Sequence, residues 1–134
     1  MPEVSTYDPK KVTVSIGGRV ITGFAADGVV TLTHNEDAVT PSVGAKGDVA
    51  YSENANNSGN AALPIMSTSS SLAYLREICA KRRPVRFSVS DVNDADAIQV
   101  SEENCRILKM PDTPRSKDPT TVTVNVYIPD LNYR

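Results

Sequence analysis

Residues 11 to 24, Lys-Val-Thr-Val-Ser-Ile-Gly-Gly-Arg-Val-Ile-Thr-Gly-Phe, decide the fold class of this chain. Apolar and polar residues alternate up to Gly17-Gly18, which supplies the positive φ angles of a tight primed turn, and an extended segment returns from Arg19 to Phe24. The stretch therefore predicts a β-hairpin with one buried face. The predicted core face carries Val12, Val14, Ile16 and Ile21. The predicted opposite face carries Lys11, Thr13, Ser15, Val20, Thr22 and Phe24.

Working outward, the same alternation recurs along the chain. Further strands are predicted at 29–33, 49–52, 61–66, 85–89, 97–110 and 121–128. One helix is predicted from about Leu72 to Arg82, where Leu72, Leu75, Ile78 and Cys79 recur at helical spacing before Pro84. The pattern predicts a mainly β fold, a β-sandwich or barrel of about seven to nine strands with one peripheral α-helix.

Residues 34 to 48, His-Asn-Glu-Asp-Ala-Val-Thr-Pro-Ser-Val-Gly-Ala-Lys-Gly-Asp, form a long polar stretch without a catalytic or ligand-cradling pattern. Its apolar content is too small to offset backbone entropy in a free subunit. We predict a mobile arm, reaching through an Asn-rich flexible turn to about residue 60, that becomes ordered on a neighbouring subunit or ring. The predicted contact residues are Asn35, Glu36, Asp37, Val39, Val43, Lys46 and Asp48.

Length and charge limit the class of protein. At 134 residues the chain is predicted to be a single domain, 1–134. Its net charge of −2 lacks the basic excess that drives phosphate binding, so tight DNA binding is not expected. No apolar run is long enough to span a bilayer and the first residues do not resemble a signal peptide, which favours a cytoplasmic origin. Cys79 and Cys105 are therefore predicted to be free thiols.

Candidate chemistry is sparse. His34 is the only histidine, which excludes paired-histidine metal sites. Asp91, Asn93, Asp96 and Glu102 partly follow a calcium-loop spacing, but Ala95 and Asp96 stand where an oxygen ligand and a glycine are needed. We predict no enzymatic activity, no cofactor and no metal.

The only basic cluster lies around the end of the predicted helix and comprises Lys81, Arg82, Arg83 and Arg86. Its charges offset the helix dipole in the simplest interpretation. The alternative is contact with an acidic surface of another protein, in which Arg76 would also take part.

Several segments in order resemble one family. They are Tyr7-Asp8-Pro9-Lys10-Lys11-Val12, Asn35-Glu36-Asp37-Ala38, Val43-Gly44-Ala45-Lys46-Gly47-Asp48-Val49 and Lys109-Met110-Pro111-Asp112. Together they resemble the tail tube proteins of contractile-tailed bacteriophages, over most of the chain from residue 7 to about 131.

The resemblance implies the phage tail tube fold, which is related to that of type VI secretion tube proteins. It also implies a structural virion protein, made in the host cytoplasm, that forms hexameric rings stacked into the inner tail tube. The tube conducts DNA during ejection without binding it specifically. The implied partners are further copies of the chain, the sheath protein outside, and baseplate and terminator proteins at the ends, with no small-molecule ligand.

Within that expectation, the outer helix surface with Arg76, Lys81, Arg82 and Arg83 is predicted to face the sheath. A passing polyanion favours a neutral to acidic channel, and the candidate lumen residues are Asp94, Asp96, Glu102 and Glu103.

Two other functions stay open. A tube protein of a phage-derived injection machine, such as a tailocin or a type VI-like system, shares the fold. A monomeric β-sandwich binding module is disfavoured because the chain has no Trp and only 5% aromatic residues, which leaves little for a ligand platform.

Overall fold

The computed structural model describes residues 8–26, 28–93, 98–111 and 120–133. Within these ranges a short 3-10 turn at Pro9–Lys11 precedes nine strands and one α-helix. They are β1 (Val12–Ile16), β2 (Arg19–Val20), β3 (Thr31–His34), β4 (Val39–Val43), β5 (Val49–Glu53), β6 (Gly59–Met66), α1 (Ser71–Lys81), β7 (Val85–Asp91), β8 (Gln99–Cys105) and β9 (Thr121–Ile128). The mainly β class with one helix is confirmed.

The strands form three antiparallel sheets. One has the order β2-β1-β7-β8, the second β3-β6-β9, and the third is the pair β4-β5. Inward side chains of the two larger sheets and of α1 make one hydrophobic cluster. The two sheets are also joined by backbone pairing between Arg106 and Tyr127 on one side, and between Phe24 and Ile65 on the other. The molecule is thus a β-sandwich whose two sheets are joined by backbone pairing on both sides, as in a partly closed barrel.

The β1–β2 hairpin has the predicted register, with Ser15 opposite Val20 and Gly17-Gly18 in the turn at positive φ. Val14, Ile16 and Ile21 are buried as expected.

The predicted return strand was wrong beyond Val20, however, because Gly23 at φ +80° redirects the chain. Phe24 consequently leaves the outer face, pairs with Ile65 of the second sheet and packs against the core.

Helix α1 is confirmed with its predicted buried stripe. Leu72, Leu75 and Ile78 are buried and Cys79 is half-buried. Arg82 lies just beyond the helix rather than in it, at φ 53° and ψ 38°, and its N–H bonds the carbonyl of Cys79. This left-handed residue stops the helix before Pro84 is reached.

Two predicted strand boundaries were wrong. The third strand is Thr31–His34 rather than 29–33, and the described part of the predicted run 97–110, residues 98–110, forms a strand only over Gln99–Cys105. Asn104 at φ 62° turns the backbone near the end of that strand, which the alternation of side chains does not reveal.

Candidate assembly surface

The predicted irregular arm is a regular β-hairpin, which corrects the sequence interpretation. β4 and β5 pair from Val39 opposite Glu53 to Val43 opposite Val49. The turn between them is closed by the N–H of Gly44, which donates to the carbonyl of Asp48 over 2.7 Å. Strand pairing satisfies, without any core, the backbone polar groups that point towards the partner strand, and the entropy argument did not include this local gain in hydrogen bonding. Ordering on a neighbour stays a prediction.

The hairpin has two unlike faces. Residues directly opposite in an antiparallel pair share a face, and neighbours along a strand alternate. The register therefore puts five apolar side chains on one side, here called the apolar face: Val39, Pro41, Val43, Val49 and Tyr51. Glu53, opposite Val39 at the base of the hairpin, lies on the same side. Thr40, Ser42, Ala50 and Ser52 lie on the other side.

The apolar face is exposed in this single chain. Tyr51 is 72% exposed, Val43 69% and Val49 50%. Singly exposed apolar residues are ordinary on protein surfaces, but a contiguous group on one sheet face is typical of an interaction site.

The sequence prediction included Val39 and Val43 but missed Val49 and Tyr51. The alternation of Val49 and Tyr51 with Ala50 and Ser52 could have predicted that these two residues share one face of a strand.

The base of the hairpin is held by asparagine amides, where a flexible turn was predicted. The Asn57 amide nitrogen donates to the Asp130 carboxylate over 2.8 Å and to the carbonyl of Leu131 over 3.0 Å. The Asn54 amide donates to the carbonyl of Asp37 over 3.0 Å. Asparagine is unfavourable in β-strands, but its side-chain amide can make hydrogen bonds in place of those between paired strands. The turn is therefore a cross-linked junction to the C-terminal segment.

Further contacts join this junction to the strands. His34 Nε2 lies 3.0 Å from the carbonyl oxygen of Leu131, and its ring centroid is 5.8 Å from that of Tyr133. The Asn57 donor lowers the pKa of the Asp130 carboxyl because it stabilises the charged form. His34 is thus a structural residue at a strand end.

The structure separates the predicted contact residues into three groups. Asn35, Glu36 and Asp37 lie at the base, where the Asn35 amide donates to Ser58 Oγ and Glu36 accepts a hydrogen bond from the Asn56 amide. Val39 and Val43 lie on the apolar face. Lys46 and Asp48 lie in the connection between β4 and β5, with both residues exposed.

The basic cluster flanks the C-terminal end of α1. Its members Lys81, Arg82 and Arg83 are exposed. Arg86 lies on β7 and donates to Ser101 Oγ over 2.7 Å. Arg76, the further residue of the predicted sheath-facing surface, is half-buried. Lys81 Nζ lies 2.9 Å from Glu77 Oε1, and this hydrogen-bonded cation lowers the pKa of Glu77. A pair in which both side chains are about 60% exposed contributes little to stability. The cluster is a solvated basic surface.

Of the predicted lumen residues, Asp94 and Asp96 lie outside the described residues. Glu103 is exposed on β8, whereas Glu102 is half-buried. Among the described residues no hydrogen-bond partner reaches Glu102 Oε1. Both glutamates line an open groove with Asp130 and Arg86.

Two residues of the calcium-like spacing, Asp91 and Asn93, have a structural role. Asn93 is buried, its Oδ1 accepts the N–H of Asp8 over 2.9 Å, and its amide donates to Asp91 over 2.7 Å. Within the described ranges, no group of His, Cys, Asp and Glu side chains could hold a metal ion. Nor does that part of the chain contain a helix long and apolar enough to cross a membrane.

Solved assemblies contain chains of the same fold. A chain in the cryo-EM structure of an extracellular contractile injection system, the PVC sheath/tube terminator in the extended state, has a TM-score of 0.62 and 13% identity, covering 100% of this chain and 98% of its own. A chain in the anti-feeding prophage cap, the tube terminating cap, has a TM-score of 0.60 and 10% identity, covering 99% and 95%. A chain in the PVC sheath-tube complex has a TM-score of 0.58 and 12% identity, covering 92% and 88%.

No protein-family model and no curated protein matches the sequence. At 10–13% identity the likeness establishes the fold. The chain thus has the mainly β fold found in tail proteins of contractile injection systems.

Proposed function

We propose that this protein is a structural subunit of a contractile tail, which assembles with copies of itself into rings stacked as the inner tube. The observation that carries the proposal is the apolar face of the β4–β5 hairpin. The solved chains of the same fold belong to tube, sheath-tube and terminator complexes. A structural rather than enzymatic role follows.

The hairpin has no role in the core of the subunit. Among the described residues, all buried core side chains lie before residue 35 or after residue 60, so β4 and β5 contribute none. Folding of the single chain therefore leaves this face largely exposed, while burial against a neighbour gains roughly 25 cal/mol for each Å² removed from water. Assembly is the step in which this face is buried.

In the proposed particle the rings are hexameric, and the base and tip of the hairpin contact an adjacent subunit or ring. The basic surface around Arg76, Lys81, Arg82 and Arg83 faces the sheath protein. Baseplate and terminator proteins bind the tube ends, and DNA passes through a neutral to acidic channel to which Glu103 contributes. The location is the tail of a virion or of a related injection particle such as a tailocin.

A second candidate is a terminator that caps the tube. It is favoured by two of the structural likenesses, which come from a sheath/tube terminator and a tube terminating cap. A tube subunit stacks repeatedly at high concentration, whereas a terminator stops at one or a few rings. Electron microscopy of the purified chain distinguishes them by the length of the particles.

Tyr51→Asp and Ser52→Asp test the proposal as a matched pair. Both add one carboxylate to β5, on the apolar face and on the polar face respectively. We expect both variants to fold, because both positions are exposed, and we expect Tyr51→Asp alone to lose assembly. The readouts are sedimentation velocity and negative-stain images. Equal assembly of both variants, or a wild-type chain that stays monomeric at high concentration, would overturn the proposed function.

A further inference from the structure

The two outer edges of the β4–β5 hairpin are chemically different. In an antiparallel pair, residues alternate between those that exchange hydrogen bonds and those whose N–H and C=O groups point away from the partner strand. The N–H of Gly44 bonds the carbonyl of Asp48, and the N–H of Asn54 bonds the carbonyl of Ala38. Hydrogen-bonded pairs recur at every second position between these two, so the residues at the positions between them have outward-pointing backbone groups.

The outward-pointing residues are those of the apolar face. On β5 they include Val49 and Tyr51, each with a free-pointing N–H and C=O. On β4 they are Val39, Pro41 and Val43, and the central one is a proline without an N–H. A proline at that position leaves the internal ladder intact and removes a donor from the middle of the outer edge. The β4 edge is therefore blunted against strand addition, and the β5 edge is not.

The position beside the outer edge of β5 corresponds to the position that β9 occupies beside β6. β6 lies between β3 and β9, and β9 ends at Ile128, opposite Gly59. The chain then turns through Asp130 and is fastened to Asn57. In the described part of the chain, no third strand pairs with β4 or β5. The place beside β5 is where β9 would run if it were longer.

Resting on the proposed function, we propose that β5, and not β4, is the edge through which the hairpin adds to a sheet of a second copy of this chain. The added strand continues the β3-β6-β9 sheet across the subunit boundary and covers part of the apolar face. Strand addition of this kind supplies affinity through main-chain hydrogen bonds and specificity through alternate side chains.

The chain itself carries a complementary partner strand, which favours a second copy as the occupant. β8 is the outer strand of its sheet, and the bond from the N–H of Asp91 to the carbonyl of Ile98 sets its register. By the same alternation the backbone groups of Gln99 and Ser101 point away from β7. The groove beside this edge is open, and its lining includes Gln99 and Ser101 themselves together with charged side chains of both signs, Glu102, Glu103, Asp130 and Arg86.

Val49→Pro and Val43→Pro test the edge assignment. The two valines face each other across the hairpin, so each variant loses the same side chain and one outward N–H. We expect Val49→Pro to raise the concentration needed for assembly about tenfold or more, since it removes a hydrogen bond at each repeated contact. Val43→Pro loses the same apolar side chain and should also raise it, but several-fold less than Val49→Pro, because its edge already lacks the central donor. Circular dichroism establishes that both variants fold.

Amide hydrogen exchange of the wild-type chain, measured before and after assembly, tests the edge assignment without any substitution. Assembly should slow exchange of the Val49 and Tyr51 amides, and leave those of Val39 and Val43 nearly unchanged. Wild-type assembly with equal effects of the two proline variants, or with protection on β4 instead of β5, would overturn the edge assignment while the proposed function stands. A wild-type chain that does not assemble would overturn both.

Discussion

Cys105 shows how the fold alters the chemistry of a single residue. Its side chain is fully buried at the end of β8, and Sγ donates to the carbonyl of Glu102 over 3.5 Å. Burial raises the pKa of the thiol from 9.0 to about 11, with a smaller contribution from the Glu102 carboxylate. Both cysteines are free thiols, as the sequence predicted.

This shift has a consequence for stability in alkali. The folded state holds the Cys105 proton more tightly than the unfolded state, so the contribution is complete below pH 9.0 and is lost as pH rises towards 11. The loss is at most about 3 kcal/mol, since each pKa unit corresponds to about 1.4 kcal/mol. We expect urea unfolding between about pH 8 and pH 10.5 to show a steeper loss of stability for the wild-type chain than for Cys105→Ala. Parallel loss in the two proteins would contradict this.

At the scale of elements, α1 is fastened to the β1–β2 hairpin by packing and by one hydroxyl. Leu75 is completely buried, and the Tyr74 hydroxyl donates to the carbonyl of Ile16 over 2.9 Å. Arg19 lies over the Tyr74 ring, 4.8 Å from its centroid. The helix therefore closes one side of the sandwich as well as exposing the basic cluster.

Leu75→Ala is expected to lower the free energy of unfolding by about 2 to 5 kcal/mol, the range for truncating a leucine in a packed core. Leu108→Ala is the matched control, because Leu108 is 69% exposed. It should change stability by about 0.5 kcal/mol or less. Chemical denaturation measures both, and a similar small effect of the two substitutions would show that α1 does not contribute to the core.

At the scale of the whole molecule, the subunit divides into a packed sandwich and a hairpin that extends from it. The sandwich contains every buried core residue among the described ranges. The hairpin is attached through the amide junction around Asn57 and Asn54. In the proposed function, folding and assembly therefore depend on different parts of the chain.

Replacing residues 39 to 53 by a short Gly-Ser turn should separate these two properties. The exchanged segment ends beside the Ala38–Asn54 backbone bond, so a short turn spans the gap. We expect near-native circular dichroism and little change in melting temperature, with loss of stacked particles in electron micrographs. Normal polymerisation of this variant would show that the hairpin is a surface feature without a role in assembly.

The sequence was sufficient for features governed by nearest neighbours along the chain. Gly17-Gly18 between alternating segments set both the turn and the register of the first hairpin, and Leu72, Leu75 and Ile78 defined the buried side of α1. Local sterics and side-chain periodicity decide such features, and both can be read in a window of about ten residues. Alternation likewise located β9, whose valines fill the core.

Tertiary structure alone decided what depends on residues far apart in sequence. Asn57 holds its turn through Asp130 and Leu131, more than seventy positions away, which no local pattern announces. Phe24 belongs to the second sheet because Gly23 breaks the strand there. The unlike edges of the β4–β5 hairpin follow from the register that places Pro41 opposite Tyr51. The direction of a backbone N–H depends on pairing with a partner strand, and a pairing register is a property of the folded chain.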